Sequence, residues 1–419
     1  MKSVLVKGPA LSHSGYGEHT RFILRSLRTR PDLFDIFLLN INWGQTSWIA
    51  EDSEERQWLD FILNKTIMNF NQGLQPDISI QVTVPGEFER LADYNIGATA
   101  GTETTKISPD WLQKCMNMDK IIVVSNHTKY AFENTSYDAL NQQNGEEFKA
   151  KVTCPVEVIG YPVKQIEKEN IDIDLKYDFN FLTVGTWITR KNLENTIKWF
   201  VNEFYDQEVG LIVKTSRSKN SLRDRLITLN GLKELMSEFG DDRKCEVKLL
   251  HGDLSQEEMT GLYNHPSVKA LVSLSHGEGY GLPMFEAAYN GLPIITTNWG
   301  GQVDFLNMPV KEKNGKLKIK PMFTEVAYDI KPIQNAAVWD NVLIKDSMWA
   351  FPKEWSAKKA MRSAYKNYNG ILSKATKLQK WVLENFKEEE MQNKLCNLIY
   401  DPSKEEEEWL EQMNEIQVS

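Results

Sequence analysis

The sequence predicts an α/β protein of two domains, each built around a parallel β-sheet. At 419 residues the chain is too long for one ordinary hydrophobic core. Short, β-branched apolar runs alternate with helix-length amphipathic stretches, and this alternation occurs in both halves of the chain. Nearly continuous apolar strands of this kind are typical of parallel sheets that helices cover on both faces. We therefore expect one α/β unit in each half.

The strands of both sheets are predicted from the apolar runs. In the first part the runs cover residues 3–6, 36–41, 78–84, 121–124 and 156–159, and in the second part they cover residues 179–184, 210–214, 246–250, 270–274 and 293–297. A polar stretch after Tyr161 separates the two series. We predict an N-terminal domain of residues 1–165, completed by a C-terminal helix at about 385–419, and a second domain of residues 166–384.

Composition and spacing argue against several classes of protein. Hydrophobic residues make up 41% and charged residues 26% of the chain, which is an ordinary globular balance. No run approaches the roughly 20 apolar residues of a membrane span, and the N-terminus enters a strand-like segment rather than a signal peptide. The 4 cysteines have neither metal-ligand nor disulfide spacing. We expect a cytoplasmic protein (in the host cytoplasm if it is viral) with no transmembrane segment and no metal site.

The formal net charge of −9 is unevenly distributed. Residues 401–419 hold seven acids and one lysine, whereas residues 353–380 hold eight Lys or Arg and one acid. The overall charge argues against nonspecific binding of a polyanion. Aromatic residues lie among the cations of the basic stretch, so nucleic-acid binding stays open there beside the alternative of a solvated helix face.

A first glycine-rich loop follows the first predicted strand and precedes a helix. It contains Gly15, Tyr16 and Gly17. Glycines let a ligand approach the backbone closely, and the N–H groups at a helix N-terminus attract an anion. The spacing differs from the GxGxxG fingerprint of dinucleotide-binding domains, which disfavours an NAD-dependent enzyme. A plain strand–helix turn is the alternative for this loop.

A second glycine-rich loop follows the strand predicted at residues 270–274 and carries two carboxylates. It reads SHGEGYGLPMFE from Ser275, with Glu278 in the loop and Glu286 in the first turns of the next helix. The loop amides and the helix dipole suit a diphosphate. Carboxylates repel phosphates, so the natural partners of Glu278 and Glu286 are hydroxyl groups, as on ribose and on a sugar ring. The pattern indicates a nucleotide-sugar site.

The glutamate pair and its surroundings resemble the retaining glycosyltransferases of family 4, which have the GT-B fold. The E-x7-E of Glu278 and Glu286 carries the resemblance. Supporting segments are GLPIITT (291–297), GG (300–301), FLTVG (181–185), RKN (190–192), LLHG (249–252) and, more loosely, TAGTE (99–103) and IVVS (122–125). The resemblance implies two Rossmann-like domains whose parallel sheets face each other across a cleft. It also implies transfer of a sugar from a nucleotide-diphosphate sugar, with retention, to a hydroxyl acceptor.

The resemblance gives the two carboxylates separate roles. Glu286 would hold the ribose hydroxyls of the nucleotide, and Glu278 would hold hydroxyls of the transferred sugar. The backbone amides between them would lie against the phosphates and the sugar, and they belong to Gly279, Tyr280, Gly281 and Leu282.

The leaving diphosphate requires cations, and the resemblance assigns Lys191 to it. The family often has an arginine shortly after the preceding strand, where this chain has Thr186-Trp187. The second cation is therefore open between Arg190 and Lys214. Breaking the anomeric C–O bond builds negative charge on the diphosphate, and a lysine with oriented amides stabilises that charge without a metal.

The remaining candidates follow other strands. By resemblance, His251 and Gly252 would line the base, and Gly15, Tyr16 and Gly17 would close over the diphosphate from the opposite domain. Glu103 and His127 follow strands of the first domain, so they are candidates to contact the acceptor or the donor sugar. For His127 the alternative is simply the start of a helix.

Three functional hypotheses remain from the sequence. The first is a glycosyltransferase with no cofactor, a UDP-sugar as the favoured donor, and a glycan, lipid or protein acceptor. The second is transfer to hydroxymethylated bases of DNA, because similar enzymes occur in phages; it needs base flipping and a basic groove, for which Lys358, Lys359 and Arg362 are candidates. The third is a non-catalytic nucleotide-sugar-binding protein, which the intact Glu278 and Lys191 disfavour.

Overall fold

The N-terminal half forms a six-stranded parallel sheet. A computed structural model describes residues 1–44, 46–141 and 145–403 of the chain. The strands are β1 (Lys2–Gly8), β2 (Phe34–Asn40), β3 (Ile78–Val82), β4 (Tyr94–Thr99), β5 (Lys120–Val123), β6 (Tyr137–Leu140), β7 (Glu147–Ala150) and β8 (Val156–Val158). The helices are α1 (Gly15–Arg28), α2 (Glu54–Phe70), α3 (Pro109–Cys115) and α4 (Asn126–Asn134). The sheet order is β2-β1-β3-β4-β5-β8, and β6 pairs with β7 as a separate hairpin.

The C-terminal half forms a second six-stranded parallel sheet. Its strands and those of its hairpins are β9 (Asn180–Val184), β10 (Gly210–Lys214), β11 (Glu246–Leu250), β12 (Val268–Ser273), β13 (Ile294–Thr297), β14 (Asn307–Lys311), β15 (Leu317–Pro321), β16 (Thr324–Val326), β17 (Tyr328–Pro332) and β18 (Met348–Pro352). The helices are α5 (Leu193–Phe204), α6 (Leu222–Met236), α7 (Gln256–Tyr263), α8 (Leu282–Tyr289), α9 (Val303–Leu306), α10 (Glu354–Lys366), α11 (Tyr368–Asn385) and α12 (Glu388–Ile399). The sheet order is β11-β10-β9-β12-β13-β16.

Both sheets reverse their strand order at one point. In the first sheet the reversal lies between β1 and β3, and in the second it lies between β9 and β12. Loops at the carboxyl ends of such strand pairs form the crevice in which open α/β sheets bind ligands. The α/β class with two parallel sheets is confirmed, and each of the ten predicted runs overlaps a strand.

The sequence did not predict β4 or the small strands after β13. β4 carries polar Asn95 and a glycine, so it lacks a continuous apolar run. Gly97 is required there because a Cβ at this position would lie 2.4 Å from the ring of Phe88. The strands β14, β15 and β17 mix apolar with polar residues and are exposed or half-buried, so periodicity gives little signal. β18 is an apolar run with Trp349 and Ala350 buried, and it was missed although its sequence has the character of a buried strand.

The last described helix, α12, packs on the first domain. Met391, Leu395, Cys396 and Ile399 of this helix are buried in the same core as Phe22 of α1. The proposed domain limits at residues 165 and 384 stay predictions. The part of the predicted C-terminal helix at residues 404–419, with its acidic run, lies outside the described residues.

Truncating Leu395 to alanine should weaken this contact. The side chain is 1% exposed, so the substitution removes buried methyl groups and should lower the free energy of unfolding by about 2–4 kcal/mol. Urea unfolding measures the change. Asn393→Ala, on the exposed side of the same helix, is the matched control and should change stability by less than about 0.5 kcal/mol. Equal effects of the two substitutions would show that α12 is not part of the core.

Candidate functional site

Two loops meet at the reversal point of the second sheet. One follows β9 and contains the 3₁₀ turn Thr189–Lys191, and the other runs from β12 to α8. Asn192 adopts a left-handed conformation (φ 54°), and its Nδ2 donates to the carbonyl of Leu274 at 3.1 Å. The backbone N–H of His276 donates to the carbonyl of Arg190 at 2.8 Å. These bonds hold the loops side by side at the expected ligand crevice.

Glu278 forms a buried ion cluster with two cations of the other loop. The Lys191 Nζ lies 2.5 Å from Oε1 of Glu278, and Nη1 of Arg190 lies 3.1 Å from Oε2. Arg190 also reaches across to the first domain, with Nη2 at 3.3 Å from Oε1 of Glu103. Sequence reasoning named all four residues, and the structure brings them together.

The charges in this cluster fix its protonation state. Burial alone would raise the pKa of Glu278, but Lys191 and Arg190 outweigh it and lower the pKa to about 2. Burial also disfavours the charge of Arg190, yet Glu103 and Glu278 raise its pKa overall. Burial lowers the pKa of Lys191, while Glu278 acts in the opposite direction. The cluster therefore brings two basic and two acidic side chains together in one group. An anionic ligand can compete with the carboxylates for these cations.

The glycines of the second loop are pressed against the first domain. A Cβ on Gly277 would lie 2.0 Å from the carbonyl oxygen of Glu103, and one on Gly279 would lie 2.4 Å from that of Ala100. Gly281 starts α8 in a left-handed conformation (φ 96°). Gly277 and Gly279 are needed because backbone meets backbone across the domain interface, and Gly281 is needed because of its positive φ.

Tyr280 and Leu282 have apolar surroundings on the same loop. The Tyr280 ring is 4% exposed and packs edge-on against Tyr161 at a centroid distance of 4.9 Å, while Leu282 packs partly buried on the core of the second domain. Their side chains therefore fix the loop, and only their backbone groups are suited to an anion at the N-terminus of α8.

Glu286 lies further along α8 in a separate, partly buried environment. Its Oε2 accepts a hydrogen bond from the Tyr263 hydroxyl at 2.8 Å. Burial raises the pKa of Glu286 to about 6, although Tyr263 and nearby Lys164 act in the opposite direction. Glu278 and Glu286 thus differ by several pKa units, which indicates different tasks for the two carboxylates.

Glu18 and Lys164 join this region and were not predicted. The Lys164 Nζ lies 2.7 Å from Oε1 of Glu18, which also pairs with Arg25 at 2.5 Å. Glu18 contributes to the raised pKa of Glu286, so the start of α1 and the start of α8 lie near each other. Glu18 directly follows the first glycine loop, which was a usable signal, whereas no local pattern marks Lys164 or Tyr263.

The first glycine loop forms the N-terminus of α1 at the carboxyl end of β1. The Ser14 side chain caps the helix by accepting from the N–H of Gly17 at 3.0 Å. The hydroxyls of Tyr16 and Thr99 lie 2.7 Å apart, and the Tyr16 ring packs 4.2 Å from that of Trp43. No other atom lies within 4 Å of the position that a Cβ on Gly15 would occupy, so there is room for a ligand beside this loop.

His127 lies at the interface between the domains, at the start of α4. Its ring packs edge-on against Trp299 at 4.7 Å, and burial lowers its pKa to about 4. The imidazole is therefore neutral at pH 7. Beside it, Ser125 Oγ donates to the carbonyl of Gly279 at 2.6 Å, and the N–H of Asn126 donates to Asp304 at 2.7 Å.

Lys214, His251 and Gly252 lie at the neighbouring strand ends β10 and β11. Lys214 Nζ donates to the carbonyl of Gly252 at 2.6 Å, and His251 Nε2 lies 2.8 Å from Oδ2 of Asp224. The Lys214 ammonium group thus donates to a backbone carbonyl, whereas Arg190 and Lys191 both form ion pairs with Glu278. The geometry favours Arg190 over Lys214 as the second cation. Asp224 was not predicted, because an acidic residue in the first turn of a helix, as here in α6, is ordinary and marks no site.

The hairpin β17–β18 supports the second loop from outside. The His276 ring stacks on Trp349 at 5.1 Å, its Nδ1 lies 2.7 Å from the carbonyl of Ala350, and its Nε2 lies 3.0 Å from Nε2 of Gln334. A carbonyl only accepts, so Nδ1 of His276 carries a proton. Nε2 accepts from the amide nitrogen of Gln334, so the imidazole is neutral. The same hairpin reaches the first domain, where the N–H of Thr105 donates to the carbonyl of Met348 at 3.0 Å. No sequence pattern marks this contact.

The basic stretch at residues 353–380 lies away from this cleft. Arg362 pairs with Glu203 at 2.6 Å, and Lys358 lies 3.5 Å from Glu354. These residues, with Lys359, line an open pocket of about 850 Å³ on the side of α10. The pairing neutralises part of the charge that a DNA backbone would need.

Two further features concern ligands and membranes. Within residues 1–44, 46–141 and 145–403, no three His, Cys, Asp or Glu side chains are grouped so as to hold a metal ion. In the same part of the chain, no helix has both the length and the apolar character needed to cross a membrane.

The fold is shared with solved glycosyltransferase structures. No family model and no curated protein matches the sequence. Sucrose-phosphate synthase from Thermosynechococcus elongatus is 12% identical, with 95% of this chain and 98% of that chain covered and a TM-score of 0.59. HepE from Anabaena, in complex with UDP and glucose, is 12% identical, with coverages of 95% and 99% and a TM-score of 0.56.

A third solved structure is similar to this chain over nearly the same length. The E. coli trehalose-6-phosphate protein bound with UDP-2-fluoro glucose is 9% identical, with 95% of this chain and 98% of that chain covered and a TM-score of 0.55. At such identities the likeness concerns the fold alone. The predicted GT-B fold, two Rossmann-like domains facing each other across a cleft, is confirmed.

Proposed function

We propose that this chain is a glycosyltransferase that moves a sugar from a nucleotide-diphosphate sugar to a hydroxyl acceptor. The observation that carries the proposal is the convergence of Lys191 and Arg190 on Glu278, beside the N-terminus of α8 and at the reversal point of the second sheet. Two partly buried cations at a helix N-terminus suit a diphosphate. The buried Glu278 and the partly buried Glu286 suit hydroxyl groups, and the combination matches a nucleotide-sugar.

In this proposal the donor spans the two carboxylates. The diphosphate binds Lys191, Arg190 and the loop amides of residues 279–282, and the ribose hydroxyls donate to Glu286. As the anomeric C–O bond breaks, the cations stabilise the charge on the leaving diphosphate. Glu278 accepts hydrogen bonds from the transferred sugar, and Glu103 and His127 face the reaction from the first domain. Gly15, Tyr16 and Gly17 close the cleft and limit hydrolysis.

The finer assignments extend the same proposal. We favour UDP as the nucleotide, since HepE and the E. coli protein are described with UDP and UDP-2-fluoro glucose. Retention and membership of family 4 are what the sequence resemblance implies. Operation without a cofactor or metal and a cytoplasmic location stay predictions from the sequence. The acceptor is a glycan, lipid or protein. The DNA hypothesis gains no support, because Arg362 and Lys358 of the basic stretch already pair with carboxylates.

A thermal-shift screen against UDP-, GDP- and ADP-sugars tests donor binding. The bound donor should raise the apparent melting temperature, because a ligand that binds only the folded state stabilises it by mass action. Glu286→Ala should abolish the shift given by the best donor. Release of nucleotide with acceptor extracts then distinguishes a transferase from a non-catalytic binding protein. A full shift and wild-type turnover in Glu286→Ala would refute the assignment.

The raised pKa of Glu286 predicts a pH dependence of donor binding. An ionised carboxylate accepts from two ribose hydroxyls, so affinity for the donor should rise about tenfold from pH 5 to pH 7 and then level off, with the midpoint near 6. Calorimetric titration measures this, and an intact UDP-sugar is used because its diphosphate keeps a constant charge over this range. Glu286→Gln should flatten the profile. A profile that keeps its midpoint in this variant would contradict the role of Glu286.

The same group predicts the opposite trend for stability without donor. The folded-state pKa of Glu286 is about 6, above the ordinary value of 4.5. Between these values the folded state binds more protons than the unfolded state, so this group makes stability fall as pH rises from 4.5 to 6. The donor reverses that trend because it stabilises the ionised form.

A further inference from the structure

The first half of helix α6 presents leucines to solvent. Leu222 is 80% exposed and Leu226 is 61% exposed, and partly buried Leu229 continues the same face. The spacing of four and then three residues places all three on one stripe of the helix. Isolated exposed leucines are ordinary, but a stripe on one face requires an explanation.

The opposite face of the same turns is polar and buried. Asp224 is 4% exposed and Thr228 is 0% exposed. Asp224 accepts from the backbone N–H of Arg217 at 3.2 Å and lies 2.8 Å from His251. Leu222 and Leu226 each lie two residues from Asp224, which is about 160° around the helix. The polar face packs inward and supports the strand ends, so the leucine stripe points away from the protein.

Cations flank this leucine stripe. Arg223 and Arg225 are exposed on either side of it, and Lys219 is exposed in the preceding loop. In the part of the chain that the structure describes, none of these three forms an ion pair. The whole chain has a net charge of −9, so this basic surface differs from the rest of the molecule. Leucines flanked by arginines are typical of helices that lie in the interface of an anionic membrane.

A second copy of the chain is a poorer partner for this face. A symmetric contact centred on the leucines would bring Arg223, Arg225 and Lys219 of one copy close to the same cations of the other. An anionic bilayer suits both the leucines and the cations of this face, because its headgroups pair with the cations and its acyl region accepts the leucines.

We propose that the first turns of α6 dock the protein peripherally on an anionic lipid bilayer, with Leu222 and Leu226 inserted and Arg223 and Arg225 on the headgroups. Docking does not require donor binding, so it stands apart from the proposed function. Because Asp224 on the inner face bonds to His251, the docked helix would hold the β11 end of the donor domain at the membrane. Among the acceptor classes, this arrangement suits an acceptor linked to a lipid.

Vesicle co-sedimentation of the full chain tests the proposal. The wild type should bind vesicles of 70% phosphatidylcholine and 30% phosphatidylglycerol at low salt, and it should not bind pure phosphatidylcholine. Leu222→Ser/Leu226→Ser should weaken binding by at least about tenfold. Arg223→Gln/Arg225→Gln should weaken it by about fivefold per arginine. Both variants should keep the wild-type melting temperature and donor-induced thermal shift, because the changed side chains are exposed.

Two matched controls separate this face from others. Phe61→Ser/Met68→Ser changes an apolar pair on α2 that is 64% and 65% exposed, and it should leave vesicle binding unchanged. Lys313→Gln/Lys316→Gln changes another basic surface with exposed apolar residues, the hairpin β14–β15. Vesicle binding that is lost in the hairpin variant and kept in Leu222→Ser/Leu226→Ser would overturn the proposal. Absence of binding by the wild type, or capture of a second copy through these leucines, would also overturn it.

Discussion

Replacing Glu278 by glutamine should lower the free energy of unfolding by about 3 kcal/mol. The two cations lower the pKa of this carboxyl from 4.5 to about 2, so the ionised form stabilises the folded protein. That contribution is fully present above pH 4.5 and is lost as pH falls toward 2. Glutamine keeps the shape of the side chain but removes its charge, so Lys191 and Arg190 lose their ion pairs at position 278. The difference in stability between variant and wild type should therefore shrink below pH 4.

The same substitution should separate donor binding from turnover. With Glu278 neutral, both cations are free to pair with a diphosphate, so UDP should stabilise the variant at least as much as the wild type. Turnover should fall by about 100-fold, because the hydroxyls of the transferred sugar lose their acceptor. Chemical unfolding, thermal shifts with UDP and nucleotide release together measure these three effects.

Glu203→Gln is the matched control for this substitution. Glu203 also forms a partly buried ion pair, with Arg362 at 2.6 Å, but on the far side of the second domain. It should cost less stability, because both side chains of the pair are more exposed, and it should leave UDP binding and turnover unchanged. If Glu278→Gln instead abolished UDP binding, the carboxylate and the diphosphate would not share the cations, and the proposed donor position would be wrong.

Gly277→Ala should reduce turnover by about 100-fold with little loss of secondary structure. A Cβ at this position would lie 2.0 Å from the Glu103 carbonyl oxygen, which belongs to the backbone of the other domain. The methyl group therefore forces the two loops apart by about 1 Å. This moves Glu103 away from Arg190 and Glu278, and misplacement by this distance is costly for catalysis. Circular dichroism and nucleotide release measure the two outcomes.

Gly210→Ala separates domain alignment from general steric damage. A Cβ there would lie 1.8 Å from Oδ1 of the buried Asn180, so the clash is as severe but lies at the amino ends of β9 and β10, away from the first domain. It should lower the melting temperature while leaving turnover per folded molecule near the wild-type value. Equal loss of turnover in both variants would mean that the contact between Gly277 and Glu103 has no special role.

The fold was predictable because buried parallel strands have a strong signature. The runs of β9 and β10 are largely apolar, and a glycine follows the first while a lysine ends the second, so the sequence alone marks both strand and loop. The short strand β16 and the hairpin strands β14, β15 and β17 lack this signature. Their positions depend on contacts distant in sequence, as in the pairing of Met348 with Thr105.

The candidate site was predictable where each residue directly follows a strand. Lys191 and Arg190 follow β9, Glu278 follows β12, and glycines mark both loops in the sequence. Tyr263 and Lys164 were missed, because a tyrosine at the end of a helix and a lysine between domains have no motif. Only tertiary packing brings them to Glu286.

The choice of the second cation shows the same limit. The sequence left Arg190 and Lys214 equivalent, since each is a cation that follows or ends a strand. In the structure Lys214 donates to the carbonyl of Gly252, while Arg190 contacts both Glu278 and Glu103. Side-chain direction favours Arg190 over Lys214, and the direction of Arg190 is set by the loop conformation around Asn192.

The most direct test of the account is a crystal structure with the nucleotide-sugar that gives the largest thermal shift. We expect the diphosphate within about 3.2 Å of Lys191 Nζ and of the Arg190 guanidinium, at the N-terminus of α8. We also expect the ribose hydroxyls to donate to Glu286. A nucleotide bound elsewhere, or bound here with its ribose away from Glu286 and its phosphates away from Lys191, would contradict the account.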